Sequence, residues 1–425
     1  MVYRRRIVDE VLDELFPHIS AISLEGAKGV GKTATASQRV SSTLSLTDPA
    51  VREVAAADFD HVTRAPRPVL VDEWQLVPEV WDRVRKAVDD GAPGGSFLLA
   101  GSADVPAGAR IHSGAGRIVR VAMRPLSFSE RAVSMPTVSL AALLNGDVAA
   151  PEGTTDVGLE RYVDEILRSG FPGIRDLPEL PRQVQLDNYL ARVVEHELPE
   201  SGVMVRRPAA LRSWLAAYGA ATATDASYTA ILDAATAGEA NKPARQTVAG
   251  YRDHLSRLFI LDPVEPWVPA FAPLKRLTRS PKHHLVDPAL AARLMGLEAP
   301  ALLSGAARPR AVRTATASWL GALFESLVTQ SVRVYADAAR ARIGHLRSRD
   351  TDREIDLIIE RADHTVLAAE IKLSASIDDK DVRHLHWIKR ELGDRVVDRI
   401  VINTGPAAYR RPDGIAVVPL ALLGP

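Results

Sequence analysis

One eight-residue stretch, Gly26-Ala-Lys-Gly-Val-Gly-Lys-Thr33, constrains the fold of this chain more than any other feature. It has the pattern of a phosphate-binding loop, G-x-x-x-x-G-K-[ST]. The apolar segment 21–25 predicts a strand directly before it, and residues 33–40 predict a helix directly after it. That context is required because backbone N–H groups and the helix N-terminus together hold phosphate oxygens. The sequence therefore predicts a nucleotide-binding α/β core.

Individual residues of the loop have distinct predicted roles. Three glycines allow the backbone to curl around the phosphates. Lys32 is expected to reach the β- and γ-phosphates of ATP, and the Thr33 hydroxyl to coordinate Mg²⁺. The predicted nucleotide-binding residues are Gly26, Ala27, Lys28, Gly29, Val30, Gly31, Lys32, Thr33 and Ala34.

A second apolar strand, predicted from residue 68, ends in the two acids Asp72 and Glu73. Asp72 is expected to orient the water shell of Mg²⁺, and Glu73 to polarise the attacking water as a base. Alone, such a pair is typical of a solvated strand end. Downstream of a phosphate loop, it predicts an ATP-hydrolysing enzyme.

Two further catalytic candidates follow. Ser102 ends the next predicted strand and could contact the γ-phosphate or the attacking water, although a turn or capping role explains it as well. Arg117 could neutralise transition-state charge in the site of a neighbouring subunit, or it could form a surface ion pair. The role in a neighbouring subunit would require a ring or another homo-oligomer.

Length and composition bound the remaining possibilities. A chain of 425 residues suggests roughly two to four domains. The formal net charge of +0 gives no global attraction to nucleic acid or membrane, and the absence of cysteine excludes disulfides and thiol catalysis. Because no apolar run is long enough for a signal peptide or a membrane span, we expect a cytoplasmic protein without a membrane partner.

The middle of the chain predicts a winged helix. Three helices and a short strand are predicted at 209–218, 227–237, 244–258 and 258–261. Arg245 and Arg252 lie away from the apolar stripe of the third helix, where they could contact DNA. A charged outer face is equally typical of a solvated helix. The two alternatives differ in whether the arginines converge on one surface.

The last part of the chain predicts a second α/β unit with an acid–lysine arrangement. Alternate residues of a strand share a face, so Glu370 and Lys372 point the same way. Together with Asp356 on the preceding strand and Glu325 on the preceding helix, Glu370 could bind a divalent metal. Lys372 could orient a water molecule there. The order of these residues resembles the PD-(D/E)xK nuclease superfamily, whose fold could also serve only as a binding platform.

These features occur in the order of a known family. The chain resembles the AAA+ ATP-binding proteins that carry a DUF4143 C-terminal region. The segments that carry the resemblance are 25–33, 69–75, 98–102, 116–117, 124–130, 170–173, 247–251, 258–262, 282–287 and 321–325. The resemblance implies ATP hydrolysis more firmly than any cellular role. Lys28 stands where arginine is common in the family, and it keeps the charge.

The combined prediction is a multidomain α/β protein. Its predicted parts are an AAA+ P-loop ATPase with a parallel-sheet core, a helical lid, a winged-helix-like part and a DUF4143 nuclease-like domain, at 1–135, 136–204, 205–270 and 271–425. The predicted function is Mg²⁺-dependent ATP turnover coupled to a DNA-binding or nuclease-like C-terminal module. The alternative is a slow nucleotide-regulated switch that recruits a protein partner. A scaffold with vestigial ATP binding is disfavoured because Lys32, Thr33 and both acids are present.

Overall fold

The computed structural model describes most of the chain, namely residues 3–101, 114–147, 150–200, 205, 207–237, 245–269, 280–303, 310–348 and 353–425. Within these residues the strands form a five-stranded parallel sheet, a six-stranded mixed sheet and a two-stranded sheet. Helices occupy most of the chain between the first two sheets.

The N-terminal unit is a parallel sheet with helices, as the sequence predicts. Its strands, in the spatial order β2-β3-β4-β1-β5, are β1 (Ala21–Glu25), β2 (Ser42–Ser45), β3 (Val69–Asp72), β4 (Phe97–Gly101) and β5 (Ile118–Ala122). Its helices are α1 (Ile7–Leu15), α2 (Lys32–Ala36), α3 (Pro49–Ala57), α4 (His61–Arg64) and α5 (Glu79–Asp89). Every residue of β1, β3 and β4 is buried, which is usual for parallel strands covered on both faces. Because the strands run parallel, the loops after β1 and β3 meet at one edge of the sheet.

The middle of the chain is almost entirely helical. After the short strand β6 (Val138–Ser139) come α6 (Leu140–Asn145), α7 (Leu159–Arg168), α8 (Pro172–Arg175), α9 (Glu179–Arg192), α10 (Leu198–Glu200), α11 (Pro208–Ala220), α12 (Tyr228–Ala235), α13 (Arg245–Arg257), α14 (Pro288–Leu294) and α15 (Ala299–Leu303). A π-helical turn, Val193–Glu197, connects α9 to α10.

The strand predicted at 258–261 is wrong, because the first of these residues still close helix α13. The Leu258 N–H donates to the His254 carbonyl, and Phe259 adopts a left-handed φ of 57°. Isolated bridges follow, antiparallel at Leu261–Leu285 and Val264–Lys282 and parallel at Pro266–His345. The three predicted helices correspond to α11, α12 and α13, while the winged-helix assignment stays a prediction.

The C-terminal unit is the predicted second α/β unit. It contains α16 (Arg310–Ala338), β7 (Arg342–Arg347), β8 (Glu354–Glu360), β9 (Val366–Ile371), α17 (Arg383–Leu392), β10 (Val396–Asn403), β11 (Tyr409–Arg410), β12 (Ala416–Pro419) and β13 (Leu423–Gly424). The sheet order is β11-β12-β10-β9-β8-β7, with β7, β8 and β9 antiparallel and β9, β10 and β12 parallel. In the described ranges, no helix combines the length and the apolar character that crossing a bilayer needs. The cytoplasmic location stays a prediction.

One shared hydrophobic core joins the parts of the chain. It includes Phe128 after the N-terminal sheet, Tyr162 on α7 and Phe324 on α16. The Phe128 and Tyr162 ring centroids lie 5.3 Å apart, and the Tyr162 and Phe324 centroids also lie 5.3 Å apart. In addition, β13 pairs with β6. The predicted domain limits stay a prediction, because the packing is continuous across them.

Candidate nucleotide site and C-terminal acid cluster

The predicted phosphate loop lies between β1 and α2. Gly29 and Gly31 have φ angles of 84° and 103°, which glycine adopts without steric cost. Gly26 is needed for another reason, since a Cβ there would lie 2.1 Å from the Met123 carbonyl oxygen. The glycines therefore let the loop curl against the end of β5.

Lys32 is folded back onto its own loop. Its Nζ donates to the carbonyl oxygens of Gly26 and Ala27, at 2.8 and 3.0 Å. Burial lowers the pKa of this ammonium, and the nearby carboxylates of Asp72 and Glu73 oppose that effect. The ammonium is thus held where phosphate oxygens could replace the two carbonyls as partners.

Thr33 and Asp72 meet at the edge of the sheet where β3 ends. The Thr33 Oγ1 donates to Asp72 Oδ1 at 2.7 Å. A hydroxyl and a carboxylate are the oxygen ligands that Mg²⁺ prefers, and Mg²⁺ usually keeps several of its waters. These two residues therefore fit an Mg²⁺ ion bound together with a nucleotide.

Glu73 is held beside the loop in a specific orientation. It has a left-handed φ of 54°, and its N–H donates to the Ala100 carbonyl at 2.7 Å. Gln75 Nε2 donates to Glu73 Oε2. Gln75 fits because Gly101 lacks a Cβ, which would lie 2.1 Å from Gln75 Oε1. Sequence reasoning missed Gln75, and its place two residues after Glu73 was the available signal.

A cavity of about 380 Å³ opens beside the loop. The N-terminal unit contributes Lys32 and Glu73 to its wall, and the helical region contributes Phe171, Tyr189 and Arg192. Arg192 ends α9 immediately before the π-helical turn, a feature that is frequent at functional sites. Sequence reasoning missed Arg192, because it lies far along the chain from the loop.

The helical region also contacts the loop directly. The Tyr189 hydroxyl donates to the Lys28 carbonyl at 3.2 Å. The Lys28 ammonium lies 2.9 Å from Glu197 Oε1. Residues 189–197 thus lie against one side of the phosphate loop, while the helical-lid assignment of residues 136–204 stays a prediction.

A second cavity, of about 310 Å³, adjoins the other side of the loop. Its lining includes Tyr3, Gly31, Thr35 and Pro172. The Tyr3 hydroxyl donates to Thr35 Oγ1 at 3.1 Å, so a residue before α1 contacts the helix after the loop. The phosphate loop therefore has a cavity on each side.

Models of protein families match the chain in three places. An AAA domain matches residues 19–132, a domain of unknown function (DUF8612) matches 159–301, and another domain of unknown function (DUF4143) matches 320–423. The first match contains the whole loop and both acids. The chain is an AAA-domain ATPase with a DUF4143 C-terminal region.

Among solved structures, the AAA-domain ATPase is similar to a Walker-type ATPase of Pyrococcus abyssi. The identity is 15% and the TM-score 0.40, over 69% of this chain and 96% of that chain. No curated protein matches the chain.

The other two catalytic candidates have different outcomes. Ser102 lies outside the described residues. Arg117 directly precedes β5, which places it at the edge of the parallel sheet opposite the loop. Its Nε lies 2.8 Å from Asp89 Oδ1. Arg117 therefore does not reach the loop of its own chain, and its role in a neighbouring subunit stays a prediction.

The two arginines predicted to contact DNA lie on α13. The Arg252 Cζ lies 4.7 Å from the centre of the Tyr228 ring, a cation–π contact, and its Nη2 lies 2.8 Å from Asp253 Oδ1. Arg245 begins the helix. Tyr228 and Asp253 account for these contacts of the Arg252 side chain. DNA binding by Arg245 and Arg252 stays a prediction.

The DUF4143 region of the ATPase brings the predicted acids and lysine together. Asp356 on β8 lies beside β9, where the Ile371 N–H donates to its Oδ2 at 2.9 Å. Lys372 Nζ lies 2.7 Å from Glu370 Oε2. Burial, followed by the Asp356 charge, raises the pKa of Glu370 to about 8, although Lys372 opposes the shift.

A lysine that the sequence did not single out lies at the centre of this acid cluster. The Lys282 Nζ is 2.8 Å from Glu325, 2.9 Å from Glu354 and 3.0 Å from Asp356. Two of the predicted metal ligands thus contact an ammonium, which differs from the metal site that the sequence predicts. Across the described residues, no three His, Asp or Glu side chains are placed to hold a metal ion.

Proposed function

We propose that this ATPase is a nucleotide-regulated switch, in which Mg²⁺-ATP holds the helical region against the phosphate loop and hydrolysis releases it. The carrying observation is the cavity of about 380 Å³, whose wall is shared by the loop and the helical region. A γ-phosphate beside Lys32 would lie in the same cavity as Arg192. Loss of that phosphate would remove the anion that the Lys32 ammonium and the Arg192 guanidinium both face.

The two cavities suggest how ATP would lie. The cavity beside Lys32 and Glu73 suits the phosphates, because the loop N–H groups and the helix N-terminus attract anions. The cavity beside Tyr3 and Thr35 suits the sugar and base, since it adjoins the same loop from the other side. A nucleotide that spans both would contact residues 3–6, the loop and the start of α8.

The chemistry assigned to each residue follows from its place. Mg²⁺, held by Thr33 and Asp72, would neutralise charge on the β- and γ-phosphates. Glu73 would accept a proton from the water that attacks the γ-phosphorus, while the bond to the β–γ bridging oxygen breaks. Gln75 would orient Glu73, and Lys32 would stabilise the departing diphosphate.

Phosphate release by the purified chain with Mg²⁺-ATP tests this proposal. We expect Lys32→Ala to lose nucleotide binding and turnover. Glu73→Gln should keep binding but lose turnover by roughly a hundredfold or more, because it lacks the base. Glu79→Gln, an exposed acid on α5, is the matched control and should behave as wild type. Wild-type turnover by Lys32→Ala would disprove the proposal.

A second candidate function is an ATPase coupled to DNA. The observation in its favour is the order of three helices, α11 to α13, followed by the antiparallel bridges of residues 261–264 with 282–285. The same assay with added duplex DNA separates the candidates. Turnover that rises with DNA supports DNA coupling, whereas turnover indifferent to DNA supports a switch that recruits a protein partner.

A further inference from the structure

We infer that the Lys282 ammonium takes the place of a divalent cation in the DUF4143 region, so that this acid cluster binds no metal and cleaves no nucleic acid. The inference concerns a site remote in sequence from the phosphate loop. It stands on the contacts of Lys282 and does not depend on how the chain uses ATP.

The contacts of Lys282 form a complete shell. Its Nζ has three donors, and three carboxylates lie within 3.0 Å, from Glu325 on α16 and from Glu354 and Asp356 on β8. Glu354 and Asp356 are two residues apart on one strand, so they share the face that meets Lys282. Nζ donates hydrogen bonds to Glu325 and Asp356, and Glu354 is a third ion-pair partner, so the ammonium occupies the space between the three acids.

The backbone holds Lys282 in this place. The Lys282 N–H donates to the Val264 carbonyl at 2.9 Å, and the Val264 N–H donates to the Lys282 carbonyl at 2.9 Å. The side chain is only 2% exposed. The ammonium is therefore held between this pair of segments and the acids of α16 and β8.

Charge makes the exchange of Lys282 for a metal unfavourable. Burial alone would lower the pKa of Lys282, but the Asp356, Glu325 and Glu354 carboxylates outweigh it and raise the pKa well above its usual value. The ammonium therefore stays charged. A divalent cation a few ångströms away would meet strong repulsion in this buried site.

The remaining acid is also poorly suited to a metal. Glu370 is only 4% exposed, and its Oε1 has no hydrogen-bond partner among the described residues. The charged or titratable groups that face it are Asp356, Lys372, Lys282 and, at 4.0 Å, His384. Lys372 Nζ lies 2.7 Å from the other oxygen, Oε2, so a metal ion at Glu370 would have to displace this ammonium as well.

Lys282 has a different use in this arrangement. It belongs to the segment that precedes α14, while its partners belong to α16 and β8. The ion pairs of one buried side chain thus link the helical middle to the C-terminal unit. An internal cation can do this permanently, whereas a metal site would make the junction depend on the supply of metal.

Binding of Mn²⁺ alone, without nucleotide, tests the inference on the full chain. Thr33→Ala and Asp72→Asn form the parent background, because they remove the metal ligands at the phosphate loop. Free Mn²⁺ is followed by its electron paramagnetic resonance signal. We expect the parent to bind no Mn²⁺ at the acid cluster, and Lys282→Ala to gain one site that is at least roughly tenfold tighter than any residual Mn²⁺ binding by the parent.

Two further variants make the result decisive. Lys372→Ala removes a neighbouring ammonium that contacts only Glu370 among these acids, and it should gain no site. Lys282→Met keeps the length of the apolar stem and replaces Lys282→Ala if the latter does not fold. A folded Lys282 variant that gains no Mn²⁺ would overturn the inference. So would Mn²⁺ binding, or Mn²⁺-dependent plasmid cleavage, by the parent that Asp356→Asn abolishes.

Discussion

Gln75 shows how a neighbour can set the direction of a candidate catalytic side chain. Its amide donates to Glu73 and is itself positioned against Gly101. We expect Gln75→Ala to lower kcat roughly tenfold to a hundredfold while KM for ATP changes little, because Glu73 is misplaced but the loop is intact. Steady-state phosphate release measures both constants. Gln183→Ala, on α9, is the control. A change in KM with an unchanged kcat would contradict the role assigned to Gln75.

Glu370 predicts a pH dependence of stability. Its pKa is raised from an ordinary value near 4.5 to about 8 in the folded chain. The folded state therefore binds the extra proton between these values, and its contribution to stability falls as pH rises through that window. Glu370→Gln removes this loss. Its unfolding free energy relative to wild type should rise by about 1 to 3 kcal/mol between pH 5 and pH 8.

Urea unfolding at the two pH values measures this difference. Glu391→Gln, at the end of α17, is a suitable control because its side chain is partly exposed. If the difference between Glu370→Gln and wild type is the same at both pH values, Glu370 is ionised throughout and its assigned pKa is wrong.

At the scale of single residues, the sequence predicted what is local and missed what is distant. The loop and the pair Asp72–Glu73 are contiguous motifs, so their placement followed from pattern alone. Lys282 contacts acids that are 43 and 74 residues away, and no sequence pattern predicts these contacts. Arg192 was missed for the same reason, because it lies far along the chain from the phosphate loop.

At the scale of elements, helix α16 contributes Arg333 and Asp337 to a charged cluster around Asp262. Arg333 on this helix lies 2.8 Å from Asp262, and Arg124 after β5 lies 2.9 Å from the same carboxylate. Arg124 also lies 2.6 Å from Asp337 on α16. Asp262 is therefore the shared anion between the N-terminal sheet and the long helix.

Replacement of Asp262 should be costly. Burial alone would raise its pKa, but Arg124 and Arg333 outweigh it and lower the pKa to about 2. This stability is present above the unfolded value near 3.8 and is lost as pH falls toward 2. We expect Asp262→Asn to lose about 3 kcal/mol of unfolding free energy at pH 7, since Arg333 loses its ion-pair partner and Arg124 keeps only Asp337.

Urea unfolding measures this loss, with Asp90→Asn at an exposed ion pair as the control. The gap between Asp262→Asn and wild type should narrow at pH 3. A gap of equal size at pH 3 and pH 7 would show that the charge of Asp262 is not what stabilises the junction.

Elements were predictable where one periodicity dominates. The helices α11, α12 and α13 fall close to their predicted limits, because their apolar stripes are long. The predicted strand at 258–261 was wrong because β-favouring residues there complete the end of α13. The helix after the loop is also shorter than predicted, since a 3-10 turn, Ser37–Arg39, follows α2.

At the scale of the whole molecule, the proposed nucleotide site lies between the N-terminal unit and the helical region. A ligand there that binds only the folded state adds about 2.7 kcal/mol of stability at a hundred times its Kd. We expect ATP with Mg²⁺ to raise the Tm of Glu73→Gln, which should not hydrolyse it. Arg192→Ala in this background should bind ATP roughly tenfold more weakly, because it loses a cation beside the phosphates.

Thermal unfolding across an ATP titration measures both effects. Lys86→Ala, which removes an exposed lysine of α5 far from the cavity, is the matched control. Equal ATP-induced shifts in Arg192→Ala and Lys86→Ala would mean that the helical region does not contact the nucleotide.

The pairing of β13 with β6 has a consequence for the order of events during synthesis. Residues 138–139 leave the ribosome long before residues 423–424 exist, yet the two segments form one small sheet. The hydrogen bond from the Thr137 N–H to the Leu422 carbonyl likewise forms only after residue 422 is made. The same holds for the hydrogen bond from the Ala421 N–H to the Tyr162 hydroxyl. The N-terminal sheet can form as it emerges, but the segment that follows it must stay unfinished until nearly three hundred more residues have been translated.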